Sequence, residues 1–220
     1  MAVFAPEVMQ QRLGYANFGA FAADLMKQYP PGTPNPNTEA FGQQSRKAQL
    51  HQLLGVDWYY GGWMEDRSEV WAETYLKKTG KFLHLGVDCS VSASTLVLAA
   101  DDGEIVFSGT DAPEVGGWGG HVVQRMQWRG ESVVVIYGHL GTMLIGSRTP
   151  VKKGDVIGHI GAKTQNGFWG EHLHIQIVRE VDHVTDWGHF FDKEMDGYGK
   201  VSEIEYWARR CPDPTPLLFS

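Results

Sequence analysis

The chain is poor in basic residues. Across 220 residues, 19 Lys and Arg stand against 26 Asp and Glu, for a formal net charge of −7. It lacks the positive footprint that a phosphate backbone demands, so nucleic acid is not an expected partner. Cysteine is scarce as well. Cys89 and Cys211 are too few to staple a disulfide-rich miniprotein and have no Cys-x-x-Cys spacing for a structural zinc site; whether they pair with each other stays open. Long apolar runs are missing: the longest uncharged stretch near the middle, Cys89 to Ala100, falls well short of the roughly 18 to 20 apolar residues of a membrane span. No transmembrane helix is expected. A convincing export signal is also lacking. Arg12 precedes an uncharged run from Leu13 to Ala23, but Glu7, Gly14, Asn17 and Gly19 break the pattern, and an amphipathic helix is the better reading. The sequence as given therefore reads as cytoplasmic, with the periplasm or cell envelope expected if it is exported.

What is present is ample core material, 42% apolar and 12% aromatic, enough for one domain of about 100 to 150 residues with extensions. Met9, Leu13, Phe21 and Leu25 recur at helical spacing over residues 6–28, with Pro6 in a first turn that accepts it. Four prolines between Pro30 and Pro36 then exclude regular structure. A second helix is expected over 38–54, stopped by Gly55. Residues 57–80 are aromatic without a clear period. From Lys81 the texture changes to short β-rich runs: 95–99, 104–108, 121–127, 132–137, 155–160 and 172–178, with turns at Asp102-Gly103, Arg129-Gly130 and Lys153-Gly154-Asp155. This spacing predicts a mainly β domain, a compact antiparallel sandwich or barrel. The expected organisation is an N-terminal helical and loop extension, 1–66, packed on a β-domain at 67–181, followed by a loop-rich tail, 182–220. About 60 residues form only a marginal core alone, which is why the extension should pack rather than stand apart.

Histidine and one aspartate carry the chemistry. In a strand, side chains alternate faces with period two, so His84 and Asp88 point the same way, with Gly86 leaving that face open. His172 and His174 likewise share a face, while Leu173, Ile175 and Ile177 take the other. His139 follows the apolar run Val133 to Tyr137, where a loop would present it at a site's rim. These types suit hydrolysis at zinc: three nitrogen or oxygen ligands leave a fourth position for water, whose pKa falls toward about 7. Further histidines can move protons or hold an oxyanion, because imidazole titrates near neutrality. Each pair alone is weak, since a bare His-x-His is commonly surface strand and His84 with Asp88 also suits an ordinary ion pair. Their co-occurrence in one β-rich segment favours a metal site. His121 and His159 read as packed or surface residues, and His51, His183 and His189 take no role. Cys89 faces away from Asp88 by alternation and reads as a buried thiol. Trp58, Trp63 and Trp71 read as a seam between the extension and the β-domain, and Gly116 to Gly120 as a loop needing positive backbone angles.

Taken in order, His84-Leu85-Gly86-Val87-Asp88, Val97 to Ile105, Tyr137-Gly138-His139-Leu140, Val151 to Gly158 and Gly170-Glu171-His172-Leu173-His174-Ile175-Gln176 resemble the lysostaphin-type (LytM-like) zinc metallopeptidases over about residues 81–180. The resemblance implies a β-domain of the lysostaphin-like, duplicated hybrid motif that cleaves peptide bonds in bacterial cell-wall peptidoglycan. It implies one zinc per chain, with His84 and Asp88 matching the first two ligands and His174 the third. His139 and His172 match the family's two non-ligand catalytic histidines. A ligating histidine is expected to donate its other N–H to an acceptor that the sequence does not name. The readings weighed against a peptidoglycan endopeptidase are a zinc hydrolase of small cytoplasmic peptides or cell-wall recycling products, a non-catalytic peptide-binding regulator of another hydrolase, and a biotinyl- or lipoyl-type carrier. The complete five-residue set argues against the regulator, and the lack of a Met-Lys-Met-like motif against the carrier.

Overall fold

The computed structural model describes residues 62–68, 75–89, 91–110, 117–191 and 195–218. The expected helices over 6–28 and 38–54, the proline-rich loop, Trp58 and Trp71 lie outside them. The described residues form ten strands: β1 (Leu83–His84), β2 (Val87–Cys89), β3 (Leu96–Leu98), β4 (Gly103–Thr110), β5 (Gly120–Trp128), β6 (Glu131–Met143), β7 (Thr149–Val151), β8 (Val156–Ile160), β9 (Leu173–Val178) and β10 (Tyr198–Gly199). All pairings are antiparallel, as the strand spacing predicts. The main sheet runs β2-β9-β6-β5-β4-β7, with β8 bridging β6 and β3, while β1 and β10 form a separate two-stranded ribbon. Short helices at Trp187–His189 (α1) and Ile204–Arg210 (α2) follow; the second lies where the sequence pattern suggested loop.

The β5–β6 hairpin has a local cause. Trp128 and Glu131 pair directly, and the two residues between them, Arg129 and Gly130, have φ of 53° and 83°. Two consecutive positive φ values are what a type I′ turn needs to match the strand twist. Arg129 then lays its guanidinium over the Trp128 ring, 4.4 Å from the centroid.

β6 and β9 are buried on both faces. Val133, Val135, Tyr137, Leu173, Ile175 and Ile177 face one core cluster, together with Val87, Cys89 and Ile157. Val134, Ile136 and Val178 face a second, closed by Phe190, Met195 and Cys211 from the C-terminal segment. Continuous apolar runs such as Val133 to Tyr137 are the expected signature of strands covered on both sides. Trp63, the described member of the tryptophan group, packs against both clusters and donates its indole N–H to the Cys211 carbonyl at 2.7 Å. Cys89 and Cys211 are both buried and are not joined by a disulfide. None of the described helices is long and apolar enough to cross a membrane.

Two local expectations change. The segment carrying His84 and Asp88 is not one strand: it breaks at Leu85-Gly86, so His84 belongs to β1 and Asp88 to β2. Leu85 donates its N–H to the Gly197 carbonyl at 2.9 Å, which diverts the chain toward the C-terminal segment. Nor does a loop carry His139. β6 continues to Met143, and pairing with β5 jumps from Val122↔Tyr137 to Gly120↔Leu140. Gly138 and His139 therefore oppose the single residue His121, a β-bulge, and His139 sits there at φ 66°. Bulges re-aim side chains, and this one brings His139 to 8% exposure inside a cleft rather than to a rim.

Candidate metal centre and cleft

Cross-strand register sets the centre of the site. Asp88 on β2 pairs with His174 on β9, which pairs in turn with Gly138 on β6. His84 arrives from the ribbon. Gly86 makes room between them, since a Cβ there would stand 2.7 Å from the His174 ring and 2.5 Å from the Ile175 carbonyl. Asp88 Oδ1 lies 2.9 Å from His174 Nδ1 and 3.3 Å from His84 Nε2, and the two nitrogens are 3.1 Å apart. All three residues are buried. Ligands at the usual 2.0 to 2.1 Å around a tetrahedral ion stand about 3.3 to 3.4 Å from one another, so this spacing is near that of three corners of such a site.

The hydrogen bonds on the far side of each ring agree. His84 Nδ1 lies 3.1 Å from the Gly62 carbonyl, and His174 Nε2 lies 3.1 Å from Gln176 Oε1. Carbonyl oxygens only accept, so the protons sit on those nitrogens and the lone pairs of His84 Nε2 and His174 Nδ1 face Asp88. Gln176 completes the arrangement by donating its amide to Met195 Sδ at 3.1 Å and Cys211 Sγ at 3.5 Å. In the absence of a cation these rings can instead take up protons: burial pushes the Asp88 carboxyl upward, but the positive charge of protonated His84 and His172 and the hydrogen bonds that protonated His174 and His84 then donate outweigh it and hold the group well below the usual carboxylate range. Two imidazole lone pairs and a carboxylate, buried and convergent, are a donor set that fits a zinc ion.

His139 and His172 stand beside this set, their rings 4.4 Å apart. His172 Nε2 is 3.8 Å from Asp88 Oδ1. His139 Nδ1 lies 2.9 Å from the Asn166 carbonyl and His172 Nδ1 lies 2.7 Å from the Gly170 carbonyl. Burial lowers the pKa of both; for His139 the charges of His172 and His174 add to it, while for His172 the Asp88 charge opposes it. Both are thus biased toward the neutral imidazole, a proton acceptor.

All five residues singled out from the sequence line one cleft, with Gly117, Trp118, Trp169, Asp196, Gly197 and Tyr198 completing its walls. Trp118 lies 22° from parallel with the His139 ring and meets His174 edge-on, and Trp169 donates its indole N–H to the Gly117 carbonyl at 3.1 Å. Asp196, 3.7 Å from Lys81, brings an acidic group to a cleft whose loops carry little charge. Sequence reasoning did not single out Gln176, Asp196 or Tyr198. Gln176 follows His172 and His174 at period two and was within reach of the same alternation. Asp196 and Tyr198 carried no local signal, because the β1–β10 pairing that brings them joins distant parts of the chain. His121 is buried against Phe107 and Phe191, and His159 is only partly covered.

An antiparallel β-domain with two buried histidines and an aspartate converging on one point defines the class, a metal-dependent hydrolase. Residues 82–186, just under half of the chain, match the model of peptidase family M23. Similar solved structures include the catalytic domain of the antimicrobial peptidase lysostaphin from Staphylococcus simulans, 23% identical over 62% of this chain and 80% of that one, with a TM-score of 0.43. The catalytic domain of the prophage-encoded M23 protein EnpA from Enterococcus faecalis is 20% identical over 44% of this chain and 69% of that one, with a TM-score of 0.39. A zinc-containing peptidase from Vibrio cholerae is 24% identical over 44% and 27%, with a TM-score of 0.37. No curated protein matches significantly.

Proposed function

We propose that the chain is a zinc-dependent endopeptidase that hydrolyses peptide bonds in bacterial cell-wall peptidoglycan. In this reading His84, Asp88 and His174 hold one zinc, and His139 and His172 move the protons. The observation that carries it is the inward convergence of His84 Nε2, Asp88 Oδ1 and His174 Nδ1 beside two buried imidazoles in the same cleft.

A zinc ion in that donor set supplies Lewis acidity, polarising an amide carbonyl and making a water molecule acidic near neutral pH. The chain's own groups do the rest. With Nδ1–H of His139 and His172 committed to carbonyls, each Nε2 keeps a lone pair to accept a proton from the attacking water. As the water oxygen bonds to the carbonyl carbon and the C–N bond breaks, that proton passes to the departing amine, and the Asp88 charge steadies the transient imidazolium. Trp118 and Trp169 keep bulk water from the pair. Gly117 and Gly197 leave a slim path between aromatic walls, which suits peptides of small residues such as the glycine and D-alanine of cell-wall cross-links.

The test is to incubate the zinc-loaded full chain with purified sacculi and identify released fragments by mass spectrometry. New peptide termini are the expected result. Cleavage of free short peptides with none in sacculi would move the substrate to cell-wall recycling products and leave the hydrolase chemistry standing.

A further inference from the structure

We propose that Asn166 is the positioning residue that sets both cleft histidines in a single tautomer, an inference that rests on the acid–base reading of His139 and His172 above. The two rings are oriented by carbonyls only four residues apart in the chain, those of Asn166 and Gly170. Neither belongs to a strand, and between them Gly167 and Phe168 both have positive φ, at 88° and 67°. Backbone hydrogen bonds from Gln165, Asn166 and Phe168 to the Ala162 and Lys163 carbonyls fix the first part of this loop, and none of these three reaches Gly170.

Asn166 supplies the tie. Its side chain is fully buried, and its amide nitrogen donates to the Gly161 carbonyl at 3.3 Å and the Gly170 carbonyl at 3.2 Å. Gly161 in turn donates its N–H to the His139 carbonyl at 3.0 Å. The circuit runs from the His139 backbone through Gly161, the Asn166 amide and Gly170 to the His172 ring, and the carbonyl of Asn166 itself returns to the His139 ring. The Gly170 oxygen uses both lone pairs, one for each donor. Space confirms the seat: Gly119, at φ 63°, passes so close that a Cβ on it would stand 2.7 Å from Asn166 Cα. Bridging two carbonyls from one short side chain requires a nitrogen with two protons. Asp has none to offer, Ser has one, and Gln is a methylene too long. Asn166 Oδ1 meanwhile has no hydrogen-bond partner among the described residues, so the contacts seen here are all made through its donors.

Nitrogen-15 NMR of histidine side chains in the zinc-loaded full chain, above neutral pH, reads the tautomers directly. The wild type should show Nδ1–H and unprotonated Nε2 at both His139 and His172. Asn166→Ala should keep its zinc and a cooperative melt, show mixed tautomers at both rings, and lose about 10²-fold in kcat with little change in KM, as misplaced catalytic groups do. Asn166→Ser, which keeps one donor, should fall between the two, and it carries the comparison if the alanine variant does not fold. An Nε2–H signal at either ring of the wild type overturns the proposal, as does a folded Asn166→Ala that retains both tautomers. Should the tautomers behave as expected while no peptide is cleaved, the peptidase reading fails and the positioning role stands.

Discussion

Asp88 and His174 face each other across the β2–β9 ladder, the carboxylate oxygen 2.9 Å from His174 Nδ1. A buried carboxylate beside two inward-facing lone pairs is a costly arrangement unless a cation joins it. His84→Ala and His174→Ala should each abolish zinc retention, measured by elemental analysis of protein shown to be folded. Chelation should lower the melting temperature of the wild type, because at a free metal concentration about 100 times the dissociation constant a bound ion adds about 2.7 kcal/mol. Unchanged metal stoichiometry in both variants would remove these residues as ligands.

His139→Ala and His172→Ala should behave in the opposite way. Each should keep its zinc and lose about 10² to 10⁴ in turnover, the usual cost of removing a positioned acid or base. Metal content and activity measured on the same preparation separate the two classes, and loss of zinc from either variant would place that histidine among the ligands.

Gln176 should tune the metal without touching it. Its Oε1 receives the His174 Nε2 proton, while its amide is held by Met195 and Cys211. Gln176→Leu leaves that proton without an acceptor, and zinc affinity should fall about 10- to 100-fold. Competition with a chromogenic chelator reads the change, and equal affinities in variant and wild type would rule the role out.

The depressed pKa of His139 predicts a pH dependence of stability in the metal-free protein. Burial first, then the charges of His172 and His174, disfavour its protonated form in the fold. The unfolded chain, with a histidine pKa of about 6.5, therefore binds the extra proton first as pH falls. Stability should be full above about 6.5 and decline from there toward the depressed native value. Denaturant titrations across that window should show a shallower decline for His139→Gln, and equal slopes would mean that His139 contributes no such linkage.

Neither cysteine should react in the native protein. Burial pushes the Cys211 thiol up to about 12, and Cys89 lies in the core on the opposite face of β2 from Asp88. Alkylation should modify neither in buffer and both in denaturant. Rapid labelling of Cys211 in buffer would show that the C-terminal segment opens readily.

Alternation and turn chemistry are properties of neighbouring residues, and what depended on them was legible from the amino-acid order alone. The strands β4, β5, β6, β8 and β9 were readable, as were the Arg129-Gly130 turn and the shared face of His172 and His174. What depended on pairing between distant segments was not. The break at Leu85-Gly86 exists because the Gly197 carbonyl captures the Leu85 N–H, and nothing near residue 85 announces a partner more than a hundred residues away. His139 reads as the end of an apolar run, yet a register shift between β5 and β6 turns it into a bulge residue aimed at the cleft. Asn166, in a glycine-flanked loop, is chemically unremarkable until Gly161 and Gly170 are brought to its amide. Residue order determined which side chains share a strand face; packing and strand register alone decided which strand faces meet, because those depend on how the whole core closes.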